Sequence, residues 1–168
     1  MGQRDEQREV AEGLWDNHGN AVYRFALRLS GNPTLAEDLT SETILGAMQA
    51  IRKGRTDIHR GYLFGITLNK WRKSRRVEAA SIDDLVALDA PDRGSLVDLE
   101  RAFRKLSRAH QEAFVLVRAE GFTSREAAEI LGIPQGTVQA RVHEATHQMR
   151  HLLSEPSPVA PHLMEVKS

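Results

Sequence analysis

Apolar residues in this chain recur at intervals of three and four, and no stretch keeps the alternating period of two that a strand requires. The pattern predicts a first helix from about Glu6 to Asn17, ending near Gly19. A second carries Val22, Phe25, Ala26 and Leu29 on one side and stops at Gly31-Asn32-Pro33. The third starts after Pro33, carries Leu35, Leu39, Thr43, Ala47 and Ile51, and ends near Gly54. A fourth runs from about Arg60 to Glu78, with Leu63, Ile66 and Lys70 on one face and Phe64, Leu68 and Trp71 on another. Trp71 lies in an apolar stripe and is expected in the core; stacking on a nucleic-acid base is the alternative use of its ring.

Residues Ala80 to Ser95 break the pattern. They are acidic, include Pro91 and Gly94, and bring few large apolar groups. They read as an exposed linker between two halves that share little core. A second helical set follows, with Leu96, Leu99, Phe103 and Leu106 as one stripe and Ala113, Leu116 and Val117 as the next, closed by Gly121. The tail from Ser154 to Ser168 holds Pro156, Pro158 and Pro161 and reads as flexible. The fold class expected is all-α: two small helical domains joined by a flexible acidic linker.

The C-terminal half contains a helix-turn-helix pattern. Thr123 can cap a helix, with Glu126 as the reciprocal partner three residues on. Ala127, Ala128, Ile130 and Leu131 give that helix one apolar side. Gly132 suits a left-handed turn residue, Ile133 plugs the turn and Pro134 opens the next segment. Val138, Val142, Ala145, Met149 and Leu152 then form the buried stripe of a second helix. Gln135, Thr137, Gln139, Arg141, His143 and Glu144 are left near its outer N-terminal surface, the end that enters the major groove in this motif.

Composition sharpens the picture where charge is concerned. The 168 residues carry 23 basic and 23 acidic side chains, a net charge of zero. Between Arg52 and Arg76, however, Arg52, Lys53, Arg55, Arg60, Lys70, Arg72, Lys73, Arg75 and Arg76 face only Asp57. Between Val77 and Glu100 the sign reverses: Glu78, Asp83, Asp84, Asp89, Asp92, Asp98 and Glu100 face only Arg93. A basic block of this density suits a polyanion. The acidic block serves either solubility or mimicry of nucleic acid. No apolar run is long enough for a membrane span, and no secretory leader is recognisable, so a cytoplasmic protein is expected. There is no cysteine, which excludes disulfides and thiolate metal sites. His143, His147 and His151 line one helix face, but a structural zinc site wants four ligands, so no metal and no cofactor are expected. No phosphate loop, activated nucleophile or carboxylate pair points to an enzyme.

The stretch from Glu126 through Leu131-Gly132-Ile133-Pro134-Gln135-Gly136-Thr137-Val138-Gln139-Ala140-Arg141-Val142-His143 resembles region four of the extracytoplasmic-function (ECF) sigma factors of bacterial RNA polymerase. Leu106 to Phe114 is similar to the start of that region. Ala21 to Ala26, Ala36-Glu37-Asp38-Leu39-Thr40-Ser41-Glu42-Thr43, and Arg60 to Ile66 with Asn69 and the basic run beyond resemble region two. The likeness covers about residues 10 to 78 and 96 to 152, in the family's order. Some positions depart from the family's habit. Gln139, Glu144 and Thr146 stand where basic residues are frequent, which implies either a weaker phosphate grip or an unusual promoter; Leu68, Lys73 and Ser107 replace an arginine, an acid and a proline.

The resemblance implies a division of the chain into a region-two domain at 1–79, a linker at 80–95, a region-four domain at 96–153 and a tail at 154–168. It implies docking on the polymerase clamp helices and flap, opening of the minus-ten element and binding of the minus-thirty-five element. DNA contacts are expected from Arg52, Lys53, Arg55, Arg60, Asn69, Lys70, Arg72, Lys73, Arg75 and Arg76, and from Thr123, Gln135, Gly136, Thr137, Gln139, Arg141 and His143. Polymerase contacts are expected from Glu37, Asp38 and Glu42, and an anti-sigma factor is an expected partner. The alternatives are a sigma-like decoy that occupies an anti-sigma factor and a helix-turn-helix regulator that works without core polymerase.

Overall fold

The computed structural model describes residues 2–79 and 94–155, and every regular element among them is helical. Helix α1 (Gly2–Leu14) does not stop near Gly19. It continues through a π-helical turn, Trp15–Gly19, into α2 (Asn20–Ser30). Gly19 keeps right-handed helical angles (φ −55°, ψ −46°) and is buried. A Cβ there would lie 3.4 Å from the Trp15 ring, so this glycine makes room for a side chain rather than ending the helix.

The expected break after α2 is present. Gly31 takes the left-handed conformation (φ 66°), the Asn32 side chain accepts from the Leu35 amide, and Pro33 occupies the first position of α3 (Pro33–Arg52). Helix α4 (Arg60–Ala79) lies against both α2 and α3. Three threonines on α3 and α4 are buried. Thr40, Thr43 and Thr67 donate to the carbonyls of Ala36, Leu39 and Leu63, and the Thr43 and Thr67 hydroxyls meet at 3.0 Å. Each hydroxyl is thus satisfied in a place where an orphan would cost roughly 1–3 kcal/mol.

The second set comprises α5 (Gly94–Lys105), α6 (Arg108–Phe114) with a π-helical turn Val115–Ala119, α7 (Ser124–Leu131) and α8 (Gln135–Ser154). Helix α6 packs on α8, as does α7. The stripe predicted for α5 is only half buried. Leu106 and Ala102 are covered and Phe103 is partly covered, whereas Leu96 and Leu99 are 74% and 44% exposed. Helix α5 meets α8 through the end nearer Leu106, where Ala102, Leu106, Ala145 and Met149 cluster. Of the expected linker, residues 80–93 lie outside the described residues, and Gly94 already belongs to α5. The expected tail likewise lies outside them from residue 156 onward.

The expectation that the halves share little core is overturned. One apolar cluster runs from Leu14, Val22, Phe25 and Phe64 through Val115, Leu116, Ala127 and Leu131 to Val142. Phe25 and Phe64 stack at 4.1 Å with 1° between their planes, and Phe122 meets Phe64 edge-on at 5.7 Å. Helix α7 seats directly on α4. The expectation rested on the composition of the linker. The apolar area that joins the halves comes instead from faces of α4, α7 and the turn before α7.

Candidate nucleic-acid interface

The helix-turn-helix is built as its residues predict. Thr123 accepts from the Glu126 amide while Glu126 accepts from the Thr123 amide at 2.8 Å and its hydroxyl at 2.9 Å. Those bonds hold the Glu126 carboxyl below the usual range. Gly132 is left-handed (φ 67°), and Pro134 caps α8 by accepting from the Thr137 and Val138 amides. Val138, Val142, Ala145 and Met149 are buried along α8, and Leu152 is partly covered. Gln135, Gly136, Gln139 and His143 stand exposed at its N-terminal end, with Thr137 and Arg141 half-buried beside them. Ser107 takes the N-cap of α6, its hydroxyl accepting from the His110 amide.

In the first half, the segment between α3 and α4 turns at Gly54 (φ 95°). Arg52 donates to Gln7 at 2.7 Å, and Arg55 lies over the Tyr62 ring at 3.7 Å while donating to the Asp57 carbonyl. Lys53 and Lys73 are exposed. Lys70 reaches Glu42 at 3.6 Å, joining the predicted DNA face to one of the predicted polymerase contacts. Glu37 and Asp38 are exposed on α3. Trp71 is buried, as its stripe predicted, and its indole Nε1 has no hydrogen-bond partner. The side chain of Arg76 lies outside the described residues.

Arg72 and Arg60, both predicted DNA contacts, reach across to acids of the second half of the chain. Arg72 makes a two-pronged pair with Glu112 of α6 (2.9 and 2.6 Å), and Glu112 is 4% exposed. The pairing raises the Arg72 pKa further above its ordinary value. Arg60 donates to the Glu120 carbonyl at 2.7 Å and lies 3.8 Å from its carboxylate, with its guanidinium over the Phe122 ring at 4.3 Å. Arg28 pairs with the same Glu120. Arg104 of α5 donates to the carbonyls of Leu29 and Arg28 at the end of α2. Asn69 is exposed and lines a cleft of about 630 Å³ with His59, Tyr62, Phe122, Glu126 and Ile130, so α7 forms one wall of it.

The sequence reading missed Glu112, Glu120, Arg28, Arg104 and Phe122. A signal existed for Glu112. It lies three and four residues before Val115 and Leu116, on the face of α6 that is buried. A carboxylate there needs a cation.

A basic helix in the first half and a helix-turn-helix with its N-terminal end exposed in the second form the arrangement expected of a DNA-binding protein. The "Sigma-70 region 2" family model matches residues 14–81, and "Sigma-70, region 4" matches residues 96–147. The ECF RNA polymerase sigma factor EcfG of Rhodopseudomonas palustris is 32% identical, over 77% of this chain and 77% of its own length. The sigma factor CarQ of Myxococcus xanthus is 32% identical over 90% and 94%. The ECF sigma factor SigE of Mycolicibacterium smegmatis is 34% identical over 89% of this chain, which spans 65% of that relative's length. Among solved structures, the sigma factor RpoE in complex with the anti-sigma factor NepR from Bartonella quintana superposes with a TM-score of 0.71. It is 26% identical and covers 87% of this chain and 98% of its own. CnrH in complex with the cytosolic domain of CnrY shares the fold, with a TM-score of 0.64 over 94% and 100% of the two chains at 24% identity. This chain belongs to the ECF family of RNA polymerase sigma factors.

Proposed function

We propose that this chain directs core RNA polymerase to its promoters and divides that task between its halves. Residues 1–79 dock on the polymerase clamp through Glu37, Asp38 and Glu42 and capture the opened minus-ten strand. The cations and amide that do this are Arg52, Lys53, Arg55, Arg60, Asn69, Lys70, Arg72, Lys73, Arg75 and Arg76. Residues 96–153 bind the minus-thirty-five duplex through Gln135, Gly136, Thr137, Gln139, Arg141 and His143, with Thr123 at the start of α7. A strand that has left the duplex offers phosphates to cations and base edges to Asn69. Glutamines and an arginine at a helix N-terminus suit base edges in the major groove.

The observation that carries this reading is the presence of both sigma regions, in order, on one chain. An anti-sigma factor is a proposed partner, on the likeness to RpoE, which is recorded bound to one. No described helix is long and apolar enough to cross a membrane, and the protein is proposed to work in the cytoplasm beside polymerase, with no catalysis of its own.

The test is transcription in vitro with core polymerase, with permanganate footprinting of unpaired thymines. The protein with Arg72, Lys73, Arg75 and Arg76 neutralised is expected to bind core but open the minus-ten element poorly, and to regain activity on a template mismatched there. Normal opening by that variant would remove the basic helix from the mechanism. No opening by the unaltered chain with any core would favour a decoy or a polymerase-independent regulator.

A further inference from the structure

We propose that residues 156–168 fold back onto an apolar groove beside α5 and α8 and cover it in the free chain. The groove has a volume of about 470 Å³ and is lined by Leu96, Leu99 and Phe103 of α5, Phe114 of α6 and Met149 of α8. Leu96 is 74% exposed and Leu99 44%. Leu153, also 44% exposed, lies four residues past Met149 and so on the same face of α8. These three leucines are most of the large apolar side chains that stand exposed among the described residues. Apolar surface gathered in one place is a surface that something covers. The contact is independent of the promoter contacts proposed above.

Position, chemistry and mass action single out this occupant. Helix α8 ends at Ser154, five residues past Met149, so the chain leaves the helix about 8 Å along its axis from the groove wall. An extended stretch from Ser154 to Leu163 spans up to about 30 Å, ample for a return. Val159, Leu163 and Val166 recur at intervals of four and three, with Met164 beside them, and supply the apolar groups the groove lacks. Pro156, Pro158 and Pro161 restrict the backbone in advance, which lowers the entropy cost of ordering it. Glu165 sits among those apolar residues, and the groove carries Arg28, Arg104 and the exposed Arg118 against Glu100 alone. A tethered segment meets its site at an effective concentration in the millimolar range. A second copy of the chain at micromolar concentration is about a thousandfold more dilute, so a contact too weak to hold it still closes within one molecule.

The absence of cysteine allows a single label to be placed in the full chain. Lys167→Cys carrying a nitroxide should broaden the methyl resonances of Leu96 and Leu99 while sparing Leu45, which is equally open to solvent on α3. Leu163→Asp with Met164→Asp should lower the closing equilibrium at least about tenfold, since two apolar side chains no longer leave water. Leu99→Asp, an exposed position on the groove side, should likewise abolish the broadening at Leu96 without disturbing the core. Absence of selective broadening in the unaltered background, or broadening that survives both sets of changes, would overturn the proposal. A mixture of nitroxide-bearing chain with isotope-labelled, cysteine-free chain reads contacts between molecules. Sharp Leu96 and Leu99 signals in that mixture are the expected result. Broadening there would give the groove to a second copy and overturn the contact within one chain.

Discussion

If the two halves share a core, energy must pass between Phe64 of α4 and Phe122 just before α7. Phe64 is fully buried, stacked on Phe25 and met edge-on by Phe122 at 5.7 Å and 73°. Phe64→Leu removes one stacked and one edge contact, and it should cost at least about 1.5 kcal/mol. Phe122→Leu removes the edge contact and the platform under Arg60, for about 1–2 kcal/mol. The double variant should be less destabilised than the sum by about 0.5–1.5 kcal/mol, the worth of one aromatic pair. Urea unfolding gives the cycle, and the position of the tryptophans supplies an internal control. Both of them, Trp15 and Trp71, lie in the first half. Phe122→Leu, made in the second half, should nevertheless shift the fluorescence midpoint together with the circular dichroism midpoint. A coupling below about 0.3 kcal/mol, or a fluorescence midpoint that stays put while helicity melts earlier, would show that the halves unfold independently.

Arg141→Ala should weaken promoter binding. A uniform loss with the salt slope reduced by about one would place the side chain on phosphate, and a loss of about 1–3 kcal/mol confined to one base pair would place it on a base edge; unchanged binding would exclude both. Gly31→Ala should destabilise twice over, because φ is 66° and the new Cβ would come within 2.7 Å of the Arg104 guanidinium. The left-handed backbone alone should cost about 1–2 kcal/mol, read as a melting temperature lower by roughly 2–8 °C, and an unchanged melt would refute the contact.

Much of the fold was legible because local chemistry decided it. The helix-turn-helix could be read from Thr123, Glu126, Gly132 and the α8 stripe, since each acts within a few residues of itself. The misreadings concern matters that sequence neighbours do not decide. Gly19 has the residue type of a helix end, yet its role is to accommodate the Trp15 ring one turn away. Leu96 and Leu99 have the spacing of a core stripe, but α5 meets α8 only through its other end. The basic run was visible as charge. Its partners were not, because Glu112 lies 40 residues from Arg72 and Glu120 lies 60 from Arg60. Reading cations as waiting for DNA overlooked that the same chain supplies anions to them.

The contact between the Thr43 and Thr67 hydroxyls has a mechanical consequence. The two hydroxyls lock α3 and α4 at one register, and Gly46 brings the helices close enough that a Cβ would stand 3.3 Å from Ile66. Sliding either helix by a turn would part the two hydroxyls, although each keeps the carbonyl of its own helix as acceptor. The pair therefore behaves as one stiff lever arm. A grip on the acidic side of α3 is therefore passed to the basic side of α4 through this close contact.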